Sequence, residues 1–198
     1  MRTLGYLSIW ATRLFIAYAT SCVLLYAWEW NVRSGHLQSA FLGDLRDHMI
    51  DYYFEYGAWI GFAIYAVNGA WFFCASQQAI NRTDRTIGIS PGWGLAYFYI
   101  PFVNMWGPFL AIRQLWNLSV RPESPADAPA PGFFWPWWLA WLSALALDQE
   151  SARIAATDDW DAAYPDYLII EVLISISLAV AAVYFLRIQR GVIQLQGS

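Results

Sequence analysis

Asp44, Asp47, His48, Asp51 and Glu55 stand at i, i+3, i+4, i+7 and i+11. On a helix that spacing puts the carboxylates and the imidazole on roughly one face. Oxygen ligands with one imidazole could hold a divalent cation. The plainer alternative is a solvated helix face, and it is the one adopted. No metal is therefore assigned, and Asp44, Asp47, His48 and Asp51 stand only as candidate ligands. His36 falls in a loop and neither histidine lies in an apolar stretch, which excludes a haem held by two histidines inside a bilayer.

Two ionisable residues do interrupt apolar stretches, Arg13 and Glu171. Intramembrane charge is a functional hypothesis by default. Arg13 falls to one side of its stretch's centre and Glu171 to the other. At 1.5 Å of rise per residue they are roughly 15 Å apart along the membrane normal, so they are not expected to pair. Asn68, near the middle of another apolar stretch, is the best side chain for polar contact between helices. The chain carries no G-x-S-x-G, H-E-x-x-H, phosphate-loop or dinucleotide glycine pattern. No catalytic residue, cofactor or cofactor-binding residue is expected, and an enzyme is the less favoured class.

The elements that must carry these residues follow from composition. The 198 residues are 59% hydrophobic, 19% aromatic and only 13% charged. A soluble domain would be about a quarter charged. The abundant Trp, Tyr and Phe suit aromatic belts at two membrane interfaces. A nucleic-acid partner is excluded by the lack of a basic stripe. Cys22 and Cys74 both sit in apolar runs and read as small buried hydrophobes. The first apolar segment continues past Arg13 and reads as a retained helix, not a cleaved signal.

An apolar run needs about 20 residues to span a bilayer. Residues 6–28, 56–80, 131–150 and 167–188 qualify, the third after extension beyond its apolar centre. Residues 37–55 should form a helix flowing into the second span, and 148–166 an outer loop. A fifth candidate covers 90–118. Were all five to cross, the acidic segment 148–166 would share a side with Arg2, and Arg187 and Arg190 would lie opposite. That contradicts the excess of arginine in cytoplasmic loops. If 90–118 does not cross, Arg2, Arg82, Arg85, Arg113, Arg121, Arg187 and Arg190 share the cytoplasmic side, and only Arg33, Arg46 and Arg153 lie outside. The expected fold is thus an all-α membrane protein of one domain. It has four transmembrane helices, a proline-broken re-entrant or interfacial amphipathic segment, and both termini cytoplasmic.

The fifth segment holds Pro101, Pro108, Asn104, Arg113 and Gln114 among aromatic residues. Two internal prolines beside an arginine do not suit a plain crossing helix. Ser90-Pro91 supplies an N-cap and a first-turn proline. Asn104 is expected to bond carbonyls that the prolines free. Residues 121–132, rich in proline, read as an extended cytoplasmic linker. Gly57-x-x-x-Gly61 and Ser175-x-x-x-Ala179 would permit close helix approach.

Trp71-Phe72, Asn81-Arg82, SPGW at 90–93, YIPFVNMWGP at 99–108, RQLW at 113–116 and FFWPWWLAW at 133–141 follow one another in an order that resembles a bacterial membrane family, the domain of unknown function 4328. Residues 31–55 are longer and more charged than that pattern. The resemblance implies a multi-pass protein of the bacterial inner membrane and implies no activity. The function expected is a non-catalytic integral membrane module, an accessory or scaffold subunit packing against another membrane protein, a second copy or lipid. Asn68, Pro101, Asn104, Trp106, Pro108, Arg113 and Trp116 are its partner or structural residues. The alternative is a small-solute or ion transporter, or a sensor, using a cavity beneath the broken segment.

Overall fold

The computed structural model describes residues 2–33, 40–83 and 88–197; the side chains of Arg2, Arg33, residues 40–55 and Ala58 lie outside the description. The described chain is helical. Its elements are α1 (Arg2–Arg33), α2 (Ala40–Ile80), α3 (Pro91–Ala96), α4 (Gly107–Val120), α5 (Phe134–Ala155) and α6 (Trp160–Gly197), with short 3-10 turns at Val103–Met105 and Pro125–Asp127. Three helices are long and apolar enough to cross a membrane: α1 over Thr3–Val32, α2 over Trp59–Ile80, and α6. At 1.5 Å per residue, 22 residues of α5 reach about 33 Å. It falls short on composition, because tryptophans crowd its start and Asp148, Glu150 and Arg153 its end.

The long helices alternate in direction. Gly5 of α1 lies against Ile193 of α6, and Glu29 at the other end of α1 meets Tyr164. Phe15 meets Tyr65 of α2 edge-on at 6.1 Å. Trp137 of α5 stacks on Phe185 of α6 at 6.0 Å, and Ser151 meets Glu171 farther along. The start of α1 and the ends of α2 and α6 therefore share one end of the bundle.

Residues 91–120 form two separate helices joined by turns. Ser90 caps α3, its hydroxyl accepting from the Trp93 amide at 3.4 Å, with Pro91 in the first turn. After Ala96 the chain runs through tight turns and comes back as α4. The Gln114 side chain bonds both backbone groups of Ile89, donating to its carbonyl at 2.6 Å and accepting from its amide at 3.0 Å. The two ends of the segment thus lie side by side, and it is a helical hairpin. At the end of α4, Ser119 joins Gln196 of α6, whose amide also reaches the Ala75 carbonyl of α2, each at 3.0 Å.

The core at this end is aromatic. Trp116 meets Phe133 and Phe134, each with ring centres 5.7 Å away. Its indole lies across Gly191 of α6, where a Cβ would stand 2.5 Å from the ring. Only glycine lets α4 sit that close. Gly57 serves α1 similarly, since a Cβ there would stand 2.3 Å from the Tyr18 hydroxyl, but nothing approaches Gly61. Of the expected glycine pair, Gly57 alone makes a close approach. Ser175 is buried.

The helices outrun the spans read from the sequence. α5 continues to Ala155 and α6 begins at Trp160, so residues 156–159 alone separate them where a loop over 148–166 was expected. The reason is local. Residues 148–155 contain no proline or glycine, and Asp159 caps the next helix by accepting from the Ala162 amide at 3.3 Å. α2 runs without a break from Ala40 to Ile80, in line with the helix expected over 37–55 to flow into the second span.

Replacing Gly191 by leucine should displace the Trp116 ring and destabilise the protein by about 1–3 kcal/mol, the usual range for overpacking. Unfolding of the purified chain by denaturant checks this; Gly61→Leu, at an open position, should change stability little.

Candidate functional site

A buried polar cluster ties α1, α2 and α6 together. Gln189 is fully buried, and its amide nitrogen donates to the Ser8 hydroxyl at 2.7 Å and to Asn68 Oδ1 at 2.8 Å. Its carbonyl accepts from the Thr12 hydroxyl at 2.9 Å, and the same hydroxyl lies 3.2 Å from Asn68 Oδ1. Asn68 fills the role expected of it. Ser8, Thr12 and Gln189 were missed, because a lone Ser, Thr or Gln on a long helix does not reveal which face it lies on. Four polar side chains buried without one another would each leave groups unpaired, at about 1–3 kcal/mol apiece.

Beside this cluster lies a cavity of about 270 Å³. Thr12 and Asn68 border it on the polar side. Phe72, Phe98, Trp137, Trp141 and Phe185 make most of its aromatic wall, and Asn104 enters from the hairpin. None of its lining side chains carries a formal charge. It is a half-open apolar pocket with a few hydrogen-bonding points, bordered on one side by the hairpin.

The hairpin turn satisfies its backbone in a way the sequence did not suggest. The amides of Phe98, Tyr99 and Ile100 bond back to Leu95 and Ala96, and those of Val103, Asn104, Met105 and Trp106 to Pro101, Ile100, Phe102 and Val103. Tight local turns therefore serve where the Asn104 side chain was expected to. Asn104 is half-buried, and its Oδ1 is buried without a partner. Phe102 takes a φ of +64°, in the region that side chains rarely adopt. It is 79% exposed.

The remaining candidates are scattered. Arg13 is exposed, its guanidinium 4.7 Å above the Trp10 ring. The Ser151 hydroxyl donates to Glu171 at 2.6 Å. Glu29 is 1% exposed and accepts from the Tyr164 hydroxyl at 3.3 Å. Only the pairing of α1 with α6 buries it. Pro101, Trp106 and Arg113 are exposed, Pro108 is buried, and Trp116 is half-buried. Trp116 is a packing residue, wedged between α4, α5 and α6. The side chains of Asp44, Asp47, His48 and Asp51 lie outside the described residues, although their backbone belongs to α2. Among the described residues, no three His, Cys, Asp or Glu side chains gather where they could hold a metal ion.

An all-helical chain with three membrane-length helices, outward-facing Trp10, Leu24, Trp59 and Phe62 and a hairpin packed among them is a membrane protein by fold. The chain belongs to the family of the domain of unknown function DUF4328, whose profile matches residues 54–193. The match covers the second half of α2, the hairpin, α5 and nearly all of α6. It leaves out α1 and residues 31–53, which include most of the departure from the family pattern. No curated protein and no solved structure matches the chain.

Two substitutions separate structural from idle polar groups. Gln189→Leu should destabilise the protein by about 2–4 kcal/mol, since it strips partners from Ser8, Thr12 and Asn68 at once. Asn104→Leu should stay within about 1 kcal/mol of the parent or gain stability, because it removes an unpaired buried acceptor. Denaturant unfolding of both in the same detergent is the measurement.

Proposed function

We propose that the chain is a non-catalytic integral membrane module that works by association, as an accessory or scaffold subunit of the bacterial inner membrane. In this reading α1, α2, α5 and α6 cross the bilayer, and the α3–α4 hairpin enters from the cytoplasmic side and returns to it. Both termini are cytoplasmic, and the proline-rich stretch 121–132 links the hairpin to α5 on that side. The arginine distribution supports this orientation, and so does the common end shared by the start of α1 and the finish of α6.

The observation that carries the functional reading is the surface of the hairpin. Its turn presents Tyr99, Phe102, Met105 and Trp106 outward, with Trp93 beside them on α3 and Trp135 on α5. Aromatic residues at this density anchor a protein at a membrane interface and are also favoured contacts between proteins. The strained φ of Phe102 holds one of them outward, and such strain is kept where it serves a purpose. A second reading, a small-solute or ion transporter or a sensor, is favoured by the cavity beneath the hairpin. Its charge-free lining favours an uncharged solute over an ion.

Orientation is tested with single cysteines at Ser124 and Asp158 in a chain lacking Cys22 and Cys74. An impermeant maleimide applied to intact cells should label position 158 and not 124; labelling of 124 from outside would overturn the topology.

Association is tested by purifying the tagged chain from its native membrane after mild crosslinking. A stoichiometric companion, a second copy included, should be recovered with the parent and lost from a Phe102→Ala/Trp106→Ala double variant. Recovery of the parent alone would count against the module.

A further inference from the structure

We infer that the cavity beneath the hairpin is a binding site for an uncharged, mostly hydrocarbon molecule bearing one hydrogen-bond-accepting oxygen, about the size of a bicyclic ketone. The inference stands whether the chain acts by association or as a carrier, because it rests on the cavity alone.

Size comes first. A cavity of about 150 Å³ lined by apolar side chains holds benzene, so about 270 Å³ suits a fused two-ring skeleton. Wall chemistry comes next. Phe72, Phe98, Trp137, Trp141 and Phe185 offer ring faces and edges, and no lining side chain is formally charged. A carboxylate, ammonium or metal ion entering such a space would shed its water with no opposite charge to receive it. That excludes charged occupants.

The polar groups select the remaining feature. Asn68 turns Oδ1 toward Gln189 and Thr12. Its Nδ2 hydrogens make no bond to any described residue, and Asn68 lines the cavity. This donor faces the cavity without an acceptor. A plain hydrocarbon, including a lipid tail drifting in from the bilayer, would leave it unmet. A carbonyl oxygen would answer Asn68 while the rest of the molecule lay among the rings. The amide is held for this by the cluster behind it, so little ordering remains when a ligand arrives.

The test uses the full chain in detergent micelles and three probes: 1-tetralone, tetralin and 2-naphthoate. Saturation-transfer NMR supplies dissociation constants, and nuclear Overhauser contacts locate the probe on the wild-type protein. Tetralone should bind saturably, about fivefold more tightly than tetralin, the worth of one net hydrogen bond. It should show contacts to the Trp137 and Trp141 rings, and 2-naphthoate should not compete. Ala182→Phe and Leu178→Trp, which fill the cavity from α6, should abolish tetralone binding without changing its partition into empty micelles. Asn68→Ala should bring tetralone down to the affinity of tetralin. Equal affinity of tetralone and tetralin for the wild-type chain would overturn the inference, as would competition by 2-naphthoate or absence of contacts to both tryptophans. The wild-type measurements decide the matter even if the filled variants fail to fold. They involve no second protein, so their failure is distinct from failure of the association reading.

Discussion

A backbone broken by prolines can be packed among apolar helices only if its amides and carbonyls are met close at hand. The hairpin of this protein satisfies that constraint twice. Its turn uses tight local bonds between Leu95 and Trp106. Its open end is closed by the Gln114 side chain, which mimics a backbone partner for Ile89 by donating and accepting at once. The hairpin thus closes on itself while it packs against α2 and α6. The shared end of α2, α4 and α6, the aromatic seat of Trp116 and the cavity under the turn all follow from that closure.

The bundle around the hairpin relies on two different adhesives. Toward the shared end, packing is aromatic and close, with Trp116 lying on Gly191 between Phe133 and Phe134. On the face of α6 turned to α1 and α2 it is polar, with Gln189 bonded to Ser8, Thr12 and Asn68. Between membrane helices the hydrophobic effect gives little reason to associate, since lipid is as apolar as leucine. Close packing and buried hydrogen bonds then decide which helices are neighbours. α6 takes part in both, against α1, α4 and α5, and so acts as the axis of the molecule.

The cavity is a consequence of the same arrangement. The hairpin, through Leu95, Phe98, Tyr99, Asn104 and Ile112, borders it together with α1, α2, α5 and α6. The pocket inherits aromatic walls from the helices and a polar edge from the α1–α2–α6 cluster. Its lining carries no formal charge, and Arg13 lies on Trp10 and Glu171 on Ser151 instead.

Much of this was legible in the amino-acid order alone. Composition dictated a helical membrane protein, because 59% hydrophobic and 13% charged residues cannot clothe a soluble surface. The prolines and the arginine dictated that 90–118 be unlike its neighbours, and the spacing of prolines, asparagine and tryptophans pointed to the family. Ser90 and Pro91 marked the start of α3 because capping is a matter of adjacent residues. What remained hidden required knowing which helix faces meet. Ser8, Thr12 and Gln189 are distant in the chain and unremarkable singly, and they become a cluster only when α1 and α6 run antiparallel. Trp116 stood among the partner or structural residues, and its seat on α6 was hidden, since nothing in its own segment tells that Gly191 leaves room for its ring. Sequence alone determines local preference and overall solvent, because those depend on single residues and near neighbours. Pairing between distant faces was decided by the tertiary structure, where fit and hydrogen bonding across helices first exist.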